Sequence, residues 1–506
     1  LIHEKLSASY VENARVDGSI PSQATHPNPS ISHVARVFFL RFQPTQMRIT
    51  LHSENPPILP ILFASRWFPS LTILAAKMKL NVLTATLIST FCLSGFANEF
   101  VNKPSSLEIP VGTLAETGFS ADGLKRIDAF FASEIQKKRV PGSVVGIVRD
   151  GKLVYLKAHG FRNPETQAPM QVDSIFALAS MTKPMVSVGT LTLTQQAKLP
   201  LFSKVSDYYP AVASMKVAVK KADGSTDYEN PNSPMTVQDL MRHTSGLTYG
   251  GRPDTSSPAA RLYPSGGQAM KMNGTAEFMD KITKLPLVYH PGTIFEYSLS
   301  HEVLGAVIEK VSGKSLDAYL REAIWNPLRM NDTSFHVSEG NKSRQAYAFK
   351  LNPLNNSPQT IDPLGSDVKF ECGGGCSLGT VPDYLKFGQM LVNGGEFNGQ
   401  RILSPAMVKL MTSDQMNKKI INNVANVEPH REGYGFGLGV AVRTEPGLAA
   451  VPGNVGEYSW NGAYGTGFFA DPQAKLVVVF GTAAPGDLRK YYREQVQNLV
   501  YGAMTR

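Results

Sequence analysis

Two short segments at opposite ends of the chain alternate apolar runs with tight turns, and they restrict the fold more than any other feature. In the first, Val144, Val145, Ile147 and Val148 pass through Asp150-Gly151 into Leu153, Val154 and Tyr155. In the second, residues 467–470 pass through Asp471-Pro472-Gln473 into the apolar run 476–480. β-Branched and aromatic residues bounded by such turns read as β-hairpins. Each hairpin has a helix beside it. Ser120 caps a segment in which Leu124, Ile127, Phe130, Phe131 and Ile135 recur at helical spacing until Pro141-Gly142, and another helix runs from residue 487 to about 503. A lone hairpin is barely stable in water, so the two are expected to join in one antiparallel sheet flanked by helices. The intervening residues, rich in helical periodicity, then form an inserted helical domain. The expected class is α/β of the α+β type, with a sheet domain from 116–180 and 351–506 and a helical domain over about 181–350. Residues 249–267 carry seven Gly or Pro and read as a long loop, a lid or a substrate rim.

Residues 1–77 show no sustained period, and the character changes at Met78-Lys79. An apolar stretch over 80–96 follows, ending Gly95-Phe96-Ala97 before the polar Asn98-Glu99. A positive start, an apolar segment and small residues at the minus-3 and minus-1 positions describe a secretory signal peptide over 78–97, cleaved near Ala97. Asn81 and several Ser and Thr interrupt the stretch, which argues against a membrane span of about 20 apolar residues. Residues 1–77 are accordingly expected to be an upstream extension outside the native protein, with 98–506 exported to the periplasm or beyond. The formal net charge is +9, but eight Lys/Arg and four Asp/Glu lie in the first 97 residues, so the mature chain carries +5. Its basic residues are scattered, and the longest run, Lys137-Lys138-Arg139, reads as a solvated helix end, so no nucleic-acid partner is expected. The ten His and three Cys never take metal-ligand spacings, so neither a metal nor a cofactor is expected.

The chemistry points to serine. Ser180-Met181-Thr182-Lys183 opens an apolar helix-forming stretch through Val186, Leu191 and Leu193. With Ser180 at the helix start, Lys183 lies one turn on and on the same face. A serine hydroxyl is a weak nucleophile until a base takes its proton, and a lysine is that base only when neutral. A helix N-terminus also stabilises a developing oxyanion, and Pro184 suits a first turn. The same spacing recurs at Ser366-Asp367-Val368-Lys369, which reads as a cap with a surface lysine. A rival nucleophile is Ser377 in Gly375-Cys376-Ser377-Leu378-Gly379, a G-x-S-x-G elbow with Asp383 and His430 as partners. No buried strand precedes it, so a glycine-rich turn before a helix over 383–391 is the preferred reading.

Two further segments give the Ser180 motif its weight. Phe295-Glu296-Tyr297-Ser298-Leu299 leads into a helix with Val303, Leu304, Val307, Ile308 and Val311 on one face, ended by Gly313. Trp460-Asn461-Gly462-Ala463 precedes the C-terminal hairpin. With His243-Thr244-Ser245-Gly246-Leu247, Pro291-Gly292-Thr293 and Asn326-Pro327-Leu328-Arg329-Met330, these motifs resemble the serine β-lactamase and penicillin-binding-protein superfamily, and most of all the family VIII carboxylesterases. The resemblance runs from about Ser120 to the C-terminus and implies a β-lactamase/transpeptidase-like fold. It implies Ser180 as nucleophile, Lys183 and Tyr297 as the groups that activate it and protonate the leaving group, and Trp460, Asn461, Gly462 and Ala463 in place of the Lys-Thr-Gly strand. The backbone N–H groups of Ser180 and Ala463 would form the oxyanion hole. Leu299 replaces the Asn of the lactamase Tyr-x-Asn motif, and Asn461 stands where the esterases usually have Gly.

What the resemblance implies is a serine carboxylesterase for short- to medium-chain esters, a small-molecule hydrolase without cofactor. Two alternatives remain: a class C-like β-lactamase or D-amino-acid peptidase, and a penicillin-recognising receptor that acylates and stops. Cys372 and Cys376 flank three glycines and read equally as a disulfide or as two buried thiols.

Overall fold

The computed structural model describes residues 98–251, 257–359 and 368–506, all within the unit Thr90–Arg506. The upstream extension, the leader read at 78–97 and Ser366 lie outside the described residues.

Helix α1, Ala121–Gln136, starts where the Ser120 hydroxyl accepts from the Gly123 N–H. Strands β1, Gly142–Arg149, and β2, Lys152–Asn163, are joined by Asp150 and Gly151, both at positive φ (51° and 70°), the backbone a two-residue primed turn requires. The short β3, Ala168–Pro169, extends this ribbon. Three helices matter for the site: α2, Thr182–Gln195; α3, Ser300–Ser312, stopped by left-handed Gly313; and α4, Val381–Val392, capped by Thr380. The chain closes with β4, Tyr434–Phe436; β5, Ala441–Arg443; β6, Tyr458–Asn461; β7, Thr466–Asp471; β8, Leu476–Thr482; and helix α5, Leu488–Tyr501.

The two hairpins do join: β1 pairs antiparallel with both β2 and β8, with Val145 opposite Phe480. The sheet order is β4-β5-β6-β7-β8-β1-β2-β3. Successive residues of β1 face opposite sides, as strand geometry demands. Val145 and Ile147 pack with Leu124, Ile127 and Phe131 of α1 and Tyr492 and Val496 of α5. Val144 and Val148 pack on the other side with Leu385 of α4. Both faces are therefore covered, and every residue of β1 is buried. Each such valine contributes about 1.5–3 kcal/mol of burial. Glycine sets how closely α4 approaches: a Cβ at Gly388 would lie 2.6 Å from Val477 Cγ1, and one at Gly146 2.7 Å from Leu385 Cδ1.

The part between the hairpins is mainly helical, and α2 is its axis, with residues 182–193 all buried. It also contains a small hairpin, Val217–Lys220 with Thr226–Glu229. Residues 252–256 of the expected loop over 249–267 lie outside the described residues, and the rest of it is irregular up to Ser265 apart from a 3₁₀ turn, Ala260–Leu262; a helix, Gly266–Met270, then begins. Ser265 and Gln268 form a capping box there, a local start signal that outweighs two glycines in the first turn.

Candidate active site

Ser180 sits in a 3₁₀ turn, Ala179–Met181, placed directly before α2 rather than in its first turn. Ala179 has φ 47°, a left-handed conformation costing about 1–2 kcal/mol for a residue with a Cβ. Two bonds hold it: Met181 N–H to Leu178 O at 3.1 Å, and the Thr182 hydroxyl to Ala179 O at 2.7 Å. The left-handed residue thus immediately precedes the serine that lines the cleft.

Lys183, the second residue of α2, is fully buried. Its Nζ donates to Ser180 Oγ at 3.3 Å, to Tyr249 OH at 3.2 Å and to the Gly374 carbonyl at 2.6 Å. Tyr297, from the loop before α3, donates its hydroxyl to Ser180 Oγ at 2.7 Å, and Lys183 Nζ lies 4.7 Å from its ring centroid. Ser180 Oγ is therefore bracketed by an amine and a phenol. Such a hydroxyl can pass its proton to one neighbour while the other returns one to a leaving group. Behind them, Tyr249 donates to Glu302 Oε1 at 2.9 Å, and burial raises the Glu302 carboxyl above its ordinary range. Neither Tyr249 nor Glu302 belongs to a recognisable sequence motif.

The β6 end closes the other side. Trp460 is buried with its ring 5.2 Å from that of Tyr297, and the Arg431 guanidinium lies 4.3 Å from the Trp460 centroid. Gly462 has no room for a side chain, since a Cβ would stand 2.3 Å from Leu178 O. That close approach, with the Thr466 hydroxyl donating to Leu178 O at 3.0 Å, fastens the strand end to the turn bearing Ser180. Ser180, Tyr297, Trp460, Asn461 and Ala463 line one cleft of about 80 Å³. Gly462 acts behind it, its carbonyl accepting from Arg493 Nη2.

The cleft also has a wall of arginines that the sequence reading missed: Arg431, Arg489 and Arg493, with Glu428 among them. Arg493 Nη1 pairs with Glu428, Arg431 Nε lies 3.3 Å from the same carboxylate, and Asn461 Nδ2 donates to it at 2.8 Å. One carboxylate thus serves two buried guanidiniums. Burial pushes Arg431 down to about 10 and Arg493 to about 9, so both stay charged at neutral pH. Arg431 Nε and Nη1 and Arg493 Nε make no hydrogen bond among the described residues. Arg489 and Arg493 are four apart on α5, a spacing that puts them on one face. Only the fold turns that face toward Ser180.

The rival nucleophile is not assembled. Ser377 is fully buried, its Oγ bonded to Thr182 Oγ1 at 2.6 Å. Asp383 is occupied by Lys386, Thr333 and the Asp332 N–H, and His430 lies against Glu428. Leu378–Gly379 pairs with Phe176–Ala177, so the glycine-rich turn braces the strand before Ser180. Cys372 and Cys376 are joined in a disulfide. Among the described residues no group of His, Cys, Asp or Glu side chains gathers as a metal site.

A large antiparallel sheet flanked by helices, with serine, lysine and tyrosine meeting at the foot of a buried helix, defines a serine hydrolase of the β-lactamase/transpeptidase-like fold. The chain belongs to the Beta-lactamase family, whose profile matches residues 127–499. It is 32% identical over 348 residues to Protein Rv1367c of Mycobacterium tuberculosis, covering 67% of this chain and 84% of that one. It is 28% identical over 389 residues to Esterase EstB of Burkholderia gladioli, covering 73% and 93%. Among solved structures, EstCE1, described as a hydrolase with promiscuous acyltransferase activity, superposes with a TM-score of 0.63 at 27% identity, covering 77% of this chain and all of that one.

Proposed function

We propose that this protein is an exported serine carboxylesterase of the family VIII kind, cleaving short- to medium-chain esters through an acyl-enzyme on Ser180. The observation that carries the reading is Ser180 Oγ held between Lys183 Nζ and Tyr297 OH. Lys183 and Tyr297 share removal of the serine proton and its delivery to the departing alkoxide. The Ser180 and Ala463 N–H groups receive the oxyanion, and no cofactor takes part. A cleft of about 80 Å³ suits a small acyl group, and the likeness to Esterase EstB supports ester chemistry. Mass spectrometry after treatment with a phosphonate should place one label on Ser180, and steady ester turnover beyond one equivalent separates an enzyme from a receptor that acylates and stops.

The arginine wall favours a second reading in which the substrate bears a carboxylate, as a β-lactam or a D-amino-acid peptide does. An anion there would meet three guanidiniums, Arg431, Arg489 and Arg493, set against the one carboxylate of Glu428. Against it stands the leaving group. A lactam nitrogen must be protonated as it departs, with the amide side chain held in line, and the residue two after Tyr297 is Leu299, buried and without an amide. Missing polar contacts discriminate strongly. The kcat/KM for a p-nitrophenyl butyrate-like ester should exceed that for a cephalosporin by at least about 10²-fold, or ~2.7 kcal/mol of transition-state stabilisation. Residual lactam turnover is expected, because Ser180, Lys183 and Tyr297 remain. A cephalosporin value at or above the ester value, measured on the same purified chain, would make the second reading the better one.

Export rests on the leader-like segment over 78–97 and on the Cys372–Cys376 bridge, since disulfides persist in oxidising compartments. N-terminal sequencing of the exported chain should begin near Asn98, and a start before residue 78 would contradict this.

A further inference from the structure

The shortest hydrogen bond made by Lys183 Nζ goes to the backbone carbonyl of Gly374, at 2.6 Å. Gly374 is the centre of Cys372-Gly373-Gly374-Gly375-Cys376, whose two cysteines are bonded to each other. The loop is pressed onto α3. A Cβ at Gly373 would stand 2.3 Å from the His301 carbonyl, and one at Gly374 would lie within 2.1–2.3 Å of the Glu302 carboxylate. These two positions therefore require glycine, and consecutive glycines leave the backbone with the greatest freedom to wander.

Closure of the ring opposes that freedom. The Cys372 carbonyl accepts from both the Gly375 and Cys376 N–H groups at 3.2 Å, and the disulfide joins the ends of that single turn. Beyond Cys376 the chain is anchored again beside the lysine, because Ser377 N–H donates to Thr182 Oγ1 at 3.2 Å and Leu178 N–H donates to the Ser377 carbonyl at 3.0 Å.

We propose that the Cys372–Cys376 disulfide is a positioning device for Lys183: by fixing the three-glycine turn it holds the Gly374 carbonyl against the lysine amine, so that activation of Ser180 depends on the redox state of the pair. Opening it takes two electrons and two protons. A dithiol supplies both, becoming a cyclic disulfide as Cys372 and Cys376 become thiols. The freed glycines then let the carbonyl leave, and the amine loses the acceptor that aims it at Ser180 Oγ. The inference rests on Lys183 assisting Ser180, as proposed above.

The test compares the oxidised protein, the protein reduced with dithiothreitol until mass spectrometry finds two alkylatable thiols, and Cys372→Ala/Cys376→Ala, each also in a Lys183→Ala background. The readouts are the rate and stoichiometry of phosphonate labelling at Ser180, with kcat and KM for a p-nitrophenyl ester. Loss of one positioning hydrogen bond should slow labelling and lower kcat about tenfold. KM should stay within about twofold, stoichiometry should remain one label per chain, and the Lys183→Ala background should show no further loss. Undiminished labelling in the reduced protein would overturn the proposal. So would an equal fractional loss without Lys183, or a loss of labelling stoichiometry in both the reduced and the variant proteins, since either makes the bridge a fold staple. An oxidised protein that labels at Ser180 yet turns over no ester would overturn the esterase reading alone, because labelling reports serine activation without it.

Discussion

Ser180→Ala is expected to lower ester turnover by at least about 10⁴-fold while the fold persists. The hydroxyl is the only group removed, and Lys183 keeps its bonds to Tyr249 and the Gly374 carbonyl. The methyl group of alanine fits wherever the serine Cβ did, so the 3₁₀ turn before α2 has no reason to rearrange. Ser377→Ala should behave differently. It deletes a buried hydrogen bond to Thr182, worth about 0.5–1.5 kcal/mol of stability, but Thr182 still donates to Ala179. Ester turnover should therefore stay within about tenfold of the parent. Initial rates on a p-nitrophenyl ester, with circular dichroism to verify folding, check both variants. Near-parental turnover by Ser180→Ala would return the nucleophile to the G-x-S-x-G segment.

The second large effect concerns the two groups bracketing that hydroxyl. Lys183→Ala and Tyr297→Phe should each lower kcat by about 10²–10⁴-fold, the range for losing a positioned acid or base. Both groups bond the same oxygen, at 3.3 and 2.7 Å, so they share one proton path. The double variant should then lose little more than the worse single one. Losses that multiply would place the two residues on separate steps. The groups facing the amine are Tyr249, Tyr297, His301 and Glu302. Burial holds His301 well below its ordinary value.

Much of this protein is written locally. The two hairpins, their turns, the helices beside them and the caps at Ser120, Thr380 and Gly313 follow from short-range rules, because strand alternation, primed turns and capping each need only a few consecutive residues. The Ser180-to-Lys183 spacing is local in the same sense, as one helical turn fixes the distance between them. Pairing of β1 with β8 was also legible, since an apolar hairpin at each end has no better partner than the other. The loop expected over 249–267 ends two residues early, at Ser265, where a capping box starts a helix.

Tertiary structure alone decided what surrounds the serine. Arg431, Arg489 and Arg493 reach the cleft only because β4–β5 and α5 converge on the β6 end. Residue type and helical spacing carry no record of which buried face an arginine meets. Tyr249 and Glu302 lie far apart in sequence, and the chain of bonds from Lys183 through Tyr249 to Glu302 is set by packing of the inserted region. The Gly374 carbonyl leaves no trace in sequence at all, because every residue carries a carbonyl and only its position in space makes one of them a partner for the lysine. The sequence by itself determined the two hairpins, the helices beside them and the one-turn spacing of Ser180 and Lys183. The fold decided the charge of the cleft, the pairing of Cys372 with Cys376 and the partners that hold Lys183, because those depend on contacts between segments that no local rule couples.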